Sequence, residues 1–253
     1  LKRLRAGACS AGIRALVEVS GRSLEHLVSD DIAFAIAPRI NAAGRLDDMR
    51  LGVRCLLSTD ARRAAELARA LDDINRYRRE RQQEMSEQAL SLLPEPDPAR
   101  QERAVVQYRD DWHEGLVGII ASRIKKQCFR PTFCFAPGND GLLKGSGRSI
   151  PGIHLRDLLD RVDKRHPGLI LRFGGHAMAA GLTLHPDAFE DFAPALEAAL
   201  EEEDPACFED RVEHDGLLAP ERLTLEQALL IESAGPWGQR FPKPTFVGHF
   251  RVI

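Results

Sequence analysis

No glycine or proline interrupts the chain between Ser58 and Leu93, and Leu67, Leu71, Ile74, Met85, Ala89 and Leu92 recur there at spacings near three and four. The pattern predicts one helix over 58–93, with Ser58 or Thr59 as its N-cap and Pro94 as its stop. At 1.5 Å per residue it would reach roughly 50 Å, longer than a small domain is wide. A helix of that length usually joins domains. Its middle, Arg76-Tyr77-Arg78-Arg79-Glu80-Arg81, is polar on most sides, as suits a helix crossing solvent. Pro94-Glu95-Pro96-Asp97-Pro98 then reads as a rigid linker.

The texture differs on the two sides of this helix. Residues 1–36 predict short helices over 12–19 and 23–27, the second capped by Ser23. From 104 onward strands and helices alternate. Strands are expected at 104–108, 132–135, 142–146, 169–173 and 182–184, and helices at 115–128, 154–162, 176–180 and 187–203. That is an α/β (α+β) domain of about 100 residues. A further strand at 216–218, a helix over 223–233 and a strand near Thr245 suggest the start of another domain.

Hydrophobic residues make up 43% of the chain and charged residues 29%, the balance of an ordinary globular protein. No apolar run approaches the ~20 residues that span a bilayer. The opening Leu1-Lys2-Arg3-Leu4-Arg5 lacks the apolar stretch of a signal peptide, and both ends read as cuts through a longer protein. Cys9, Cys55, Cys128, Cys134 and Cys207 are scattered without CxxC spacing, which argues against a disulfide framework or zinc site and fits a reducing cytoplasm. A net charge of −3 gives no global basic field, so nucleic-acid binding would need a local patch.

Four segments combine glycine with cations or hydroxyls. In Arg39-Ile40-Asn41-Ala42-Ala43-Gly44-Arg45, two guanidiniums and an amide flank small residues, as suits a closely approaching phosphate. The same residues could end a helix, with Asn41 and Gly44 as caps and the arginines pairing Asp47 and Asp48. Trp112-His113-Glu114-Gly115 opens a predicted helix, whose N-terminus attracts anions, and Trp112 could stack on a base or belong to the core. Lys144-Gly145-Ser146-Gly147-Arg148-Ser149 could cradle a phosphate or form an ordinary turn. In Arg172-Phe173-Gly174-Gly175-His176-Ala177-Met178-Ala179-Ala180-Gly181, a strand is expected to end at the glycine pair. His176 would then start a helix of very small residues.

No Asp/His cluster with metal-ligand spacing occurs, no GxSxG motif is present, and no cysteine adjoins a histidine. Two-metal phosphodiester hydrolysis needs several such ligands around ions ~4 Å apart. The residues therefore offer phosphate binding without an evident catalytic centre.

In order and spacing, the segments 38–46, 112–123, 144–149 and 172–181 resemble the RecJ family of single-stranded-DNA exonucleases, and 235–244 resembles that family's approach to an OB-fold domain. The resemblance implies a 5′→3′ exonuclease of DNA repair and recombination. Its Mn²⁺ or Mg²⁺ would be bound by an upstream DHH domain, with none expected here. It implies the end of the DHH domain over 1–57, a connecting helix over 58–93, a DHHA1 domain with sheet and flanking helices over 94–204, and the start of an OB-type domain over 205–253. Single-stranded DNA is the implied partner, with single-stranded-DNA-binding protein and a RecQ-type helicase as further ones. Ser146, Arg148 and His176 would face the scissile phosphate or DNA end. Arg39, Asn41, Arg45, Trp112, His113, Lys144, Ser149, Arg172, Gly174 and Gly175 would contact DNA. A small-oligonucleotide phosphodiesterase of the same superfamily, or a DHHA1 nucleic-acid-binding module of another protein, remain as alternatives.

Overall fold

The computed structural model describes residues 1–94, 102–235, 237–238 and 241–249, and divides into two compact units, Leu1–Glu209 and Asp210–Ile253. The linker expected at 94–98 falls, after Pro94, outside the described residues.

In the first unit, helices α1 (Lys2–Arg5), α2 (Ala11–Val19), α3 (Ser29–Asp31), α4 (Ala37–Leu46) and α5 (Arg50–Leu57) precede the long helix α6 (Ala61–Ser91). A π-helical turn at Ile32–Ile36 runs from α3 into α4. No helix forms at 23–27; the chain turns there instead, and helix resumes at Ser29. Asp60, not Ser58 or Thr59, caps α6: its Oδ1 accepts the Arg63 N–H at 2.6 Å, leaving Ser58 to donate to the Asp60 carbonyl. Leu67, Leu71, Ala64 and Ala68 pack with Leu16, Val17, Ala43 and Cys55 into one core. Further along, Met85 and Ala89 join a second core with Trp112, Leu116, Ile120 and Cys134. The helix therefore links two cores inside one compact unit. Its middle is exposed at Arg76, Tyr77, Arg79 and Glu80, with Arg78 half-buried and Asn75 buried.

A five-stranded sheet follows, built from β1 (Val105–Tyr108), β2 (Thr132–Pro137), β3 (Leu143–Arg148), β4 (Arg172–Gly175) and β5 (Ala179–Leu184) in the order β1-β2-β3-β5-β4. β1 and β2 are parallel, joined through α7 (Val117–Cys128), and all other pairs are antiparallel. α7 begins two residues after the expected start at Gly115, so residues 112–115 precede it. The largest correction lies at 176–180. No helix forms there, and Ala179 and Ala180 already belong to β5, which pairs with β3 on one side and β4 on the other. Helix propensity in a run of alanines is worth only tenths of a kcal/mol per residue, and two ladders of backbone bonds outweigh it.

One face of the sheet is sealed by α8 (Leu155–Arg165) and α9 (Phe189–Leu200), burying Phe133, Phe135, Leu182, Leu184, Leu158, Phe192 and Leu196. Phe133 and Phe135 meet Phe192 edge-on, with ring centroids 5.4 and 5.5 Å apart. His154 caps α8, its Nδ1 accepting the Asp157 N–H at 3.3 Å. On the other face, α7 covers β2 through Ile120, Cys134 and Ala136.

The second unit contains α10 (Leu225–Ala234), whose cap Thr224 accepts the Gln227 N–H. The strands expected at 216–218 and near 245 are reduced to a single parallel bridge, Leu217 to Val247, flanked by an Asp215 N–H to Thr245 carbonyl bond of 2.7 Å. Among the described residues, no helix is long and apolar enough to cross a membrane.

Candidate nucleic-acid interface

Strand alternation decides what the open face presents. In register across the sheet, Arg172 pairs with Thr183 and Thr183 with Lys144; one step along, Gly174 pairs with Gly181 and Gly181 with Ser146. These two rows share the face that α7 covers, where Ala136 and Cys134 continue them on β2. Beyond α7 the rows are uncovered, and they form the floor of an open groove of about 690 Å³. Arg45, His113 and Gly115 form its wall. Neither floor glycine is there to make room for the fold: a Cβ on Gly174 would meet nothing within 4 Å, and one on Gly181 only the Gly145 carbonyl oxygen at 3.8 Å.

At one end, Arg148 Nη1 donates to Ser146 Oγ at 2.9 Å and to the Gly147 carbonyl at 2.7 Å. Both side chains lie over the start of α7, where a Cβ on Gly118 would stand 2.6 Å from Arg148 Nη2 and 2.8 Å from Ser146 Oγ. Burial lowers the Arg148 pKa from its ordinary value, and the positive charge of Arg45 adds to the shift. Arg45 itself donates to the Gly115 carbonyl at 3.1 Å. Lys144 pairs with Asp140 at 2.6 Å, so part of its charge is already balanced, and that bond holds the Asp140 carboxyl below the usual range. Arg172 is exposed and has no ion pair among the described residues.

The sequence motifs thus converge in part. Arg45, His113, Lys144, Ser146, Arg172 and Gly174 line one groove although they come from all four segments. His113 is exposed there, its Nδ1 accepting the Gly115 N–H at 3.0 Å. Asn41 is exposed within α4 and caps nothing; the helix runs through Gly44 to Leu46. Gly175, at φ 152°, serves the β4–β5 turn, where a side chain would strike Ala180. His176 is exposed at that turn, at the sheet end where Arg148 pairs with Ala179, and does not line the groove.

Three expected DNA contacts are occupied elsewhere. Arg39 is buried, paired with Asp72 at 2.8 Å, and donates to the Ala35 carbonyl. It does not pair with Asp47 or Asp48; Asp48 is held by Arg50 instead. Trp112 is 3% exposed with its indole N–H on Gln88 at 2.9 Å, so no base can stack on it without opening the core. Ser149 is buried and donates to the Ile153 carbonyl at 2.7 Å.

Arg78 was not expected. It lies seven residues from both Leu71 and Met85, which are fully buried, so it shares their stripe of α6. An arginine at such a position in a run of arginines is the signal the sequence offers. Its Nε is buried without a hydrogen-bond partner.

The DHHA1 domain family matches residues 101–202, the span of the sheet and its helices. The single-stranded-DNA-specific exonuclease RecJ of Escherichia coli is 48% identical over 256 residues, covering 100% of this chain, and that of Dickeya dadantii is 51% identical over the same length. The crystal structure of RecJ in complex with Mg2+ from Thermus thermophilus superposes with a TM-score of 0.79 at 33% identity, covering 96% of this chain and 36% of that one. The chain belongs to the RecJ family. It spans 44% of the length of the Escherichia coli and Dickeya RecJ proteins. The fold is that of RecJ, a mixed α/β structure whose DHHA1 sheet carries the groove.

Proposed function

We propose that this chain is the strand-gripping part of a RecJ-type 5′→3′ exonuclease that acts on single-stranded DNA in repair and recombination in the cytoplasm. In this reading residues 1–57 close a DHH domain, 58–93 connect, 94–204 form the DHHA1 domain and 205–253 begin an OB-type domain. The observation that carries it is the groove: Arg45, Lys144 and Arg172 line it over a floor of Ser146, Gly174 and Gly181, and Arg148 is bonded to Ser146 at its end. Cations bind the backbone charge, and the two floor glycines let a sugar-phosphate chain lie close against the sheet. His176, next to this end of the sheet, would meet the DNA end or scissile phosphate.

Among the described residues, no group of three or more His, Cys, Asp or Glu is placed to hold a metal ion, so these residues do not fit a two-metal centre. The relatives crystallised with Mg2+ and Mn2+ support a divalent ion for the whole enzyme; in this reading an upstream DHH domain binds it. Single-stranded-DNA-binding protein and a RecQ-type helicase are proposed partners of that whole enzyme.

The test uses purified chain, a 5′-labelled single strand and Mn²⁺. The strand should be bound but not shortened. Arg148→Ala should cost about 1.5–3 kcal/mol of binding, the worth of a charge-assisted contact, with an unchanged melting temperature. Release of mononucleotides, or equal binding by the variant, would contradict the assignment.

A further inference from the structure

The cations of the groove floor are not equivalent. Arg172 and Lys144 stand on either side of Thr183 in one row across β4, β5 and β3. Arg172 is exposed and has no ion pair among the described residues. Lys144 is closed onto Asp140, with Nζ 2.6 Å from Oδ2.

The turn between β2 and β3 builds this pair. The Gly138 N–H donates to the Leu142 carbonyl at 2.7 Å, Gly141 takes φ 73°, and Asp140 Oδ1 accepts the Leu142 N–H at 3.3 Å. One carboxylate oxygen therefore closes the turn and the other is left for Lys144. The lysine stem lies against the backbone of Gly138, where a Cβ would stand 2.7 Å from Lys144 Cε and 2.8 Å from Asp140 Oδ1. Only a residue without a side chain lets the ammonium fold back on the turn in this way. Lys144 lines the groove and Asp140 does not. The side chains are 24% and 52% exposed, so water reaches the pair and it can open.

A phosphate that takes Lys144 must displace Asp140, and the freed carboxylate then gathers a cation from solution. That uptake cancels much of the counter-ion release that binding to a free lysine would give. We propose that Asp140 is a built-in counter-ion that competes with the DNA backbone for Lys144 and so limits how tightly the groove holds a strand. The proposal rests on the reading of the groove as a strand-binding cleft. A strand shortened from one end has to shift along its site after each cut. A lysine handed between phosphate and Asp140 lets go of the backbone without being left unpaired. Asp140 is a positioning residue, since it acts on the strand only through Lys144.

Anisotropy of a labelled single strand across a salt series, with melting followed on the same samples, tests it. Asp140→Asn keeps the oxygen that closes the turn and removes the charge, so it should melt close to the parent. It should bind the strand roughly two- to fivefold more tightly at low salt, the worth of an exposed ion pair. Its log K against log salt should steepen by about 0.7, one further phosphate neutralised on a single strand. Lys144→Ala should cost more binding in the Asp140→Asn background than in the parent, whereas Arg172→Ala should cost the same in both. That dependence separates release of Lys144 from the mere loss of one negative charge. Asp140→Ser, also uncharged, should tighten binding in the same way and serves if Asp140→Asn folds poorly. Weaker or unchanged binding by a folded, uncharged variant, where the parent binds, overturns the proposal and leaves the strand-binding reading in place. No binding by parent and variants alike overturns both.

Discussion

The two faces of the sheet are built from the same strands and do opposite things. On the face under α8 and α9, Gly145 and Gly147 are the small residues, and a Cβ on either would run into the ring of Phe135 or Phe133. On the other face Gly174 and Gly181 are equally small, but nothing fills the space above them. Glycine lets aromatic rings close down on the backbone in the first case and keeps a surface bare in the second. Glycines in one motif can therefore serve packing or binding, and only the strand's alternation tells which.

The contrast can be broken most strongly from the sealed side. Phe135 lies between Phe189 and Phe192, with centroids 5.6 and 5.5 Å away. Phe135→Ala should lower stability by about 3–5 kcal/mol in denaturant melts, without changing the DNA affinity of the folded protein. Arg39→Ala comes next. Breaking its buried pair with Asp72 should cost about 3 kcal/mol, again with DNA binding intact. A stable Arg39→Ala protein with weakened binding would return Arg39 to the DNA contacts. The glycines sharpen the comparison most finely. Gly145→Ala should destabilise by about 1–3 kcal/mol through overpacking. Gly181→Val should change stability by no more than about 0.5 kcal/mol, while filling the groove and weakening strand binding. Equal behaviour of the two glycine variants would remove the distinction between the faces.

Much of this organisation was legible in the sequence. The long helix was visible because nothing interrupts its stripe, and β1, α7, β2 and α9 because their apolar periods are strong. The β4–β5 hairpin was only partly legible: strands were expected at 169–173 and 182–184, but not the turn between them. Ala177-Met178-Ala179-Ala180 has helical propensity, and the β3 residues that pair with β5 lie 31 to 41 positions upstream, beyond any local pattern. The same limit explains Arg39 and Trp112: Asp72 and Gln88 decide their roles, and neither neighbours them in sequence. Composition alone left Lys144, Ser146 and Arg148 open between a phosphate cradle and an ordinary turn; the strand they form holds two glycines, a hydroxyl and two cations, too few apolar side chains to be core on both faces. Arg78 was hidden among Arg76, Arg79 and Arg81, because choosing one requires knowing which face of α6 is covered.

In the proposed function the bare half of the sheet binds a DNA backbone through a few cations, in a chain whose net charge is −3. Fluorescence anisotropy of a labelled single strand across a salt series measures this directly. With two to four phosphates neutralised, affinity should be micromolar or weaker, and log K should fall against log salt with a slope of roughly −1.4 to −2.8. A slope near zero, or no binding even at low salt, would contradict it.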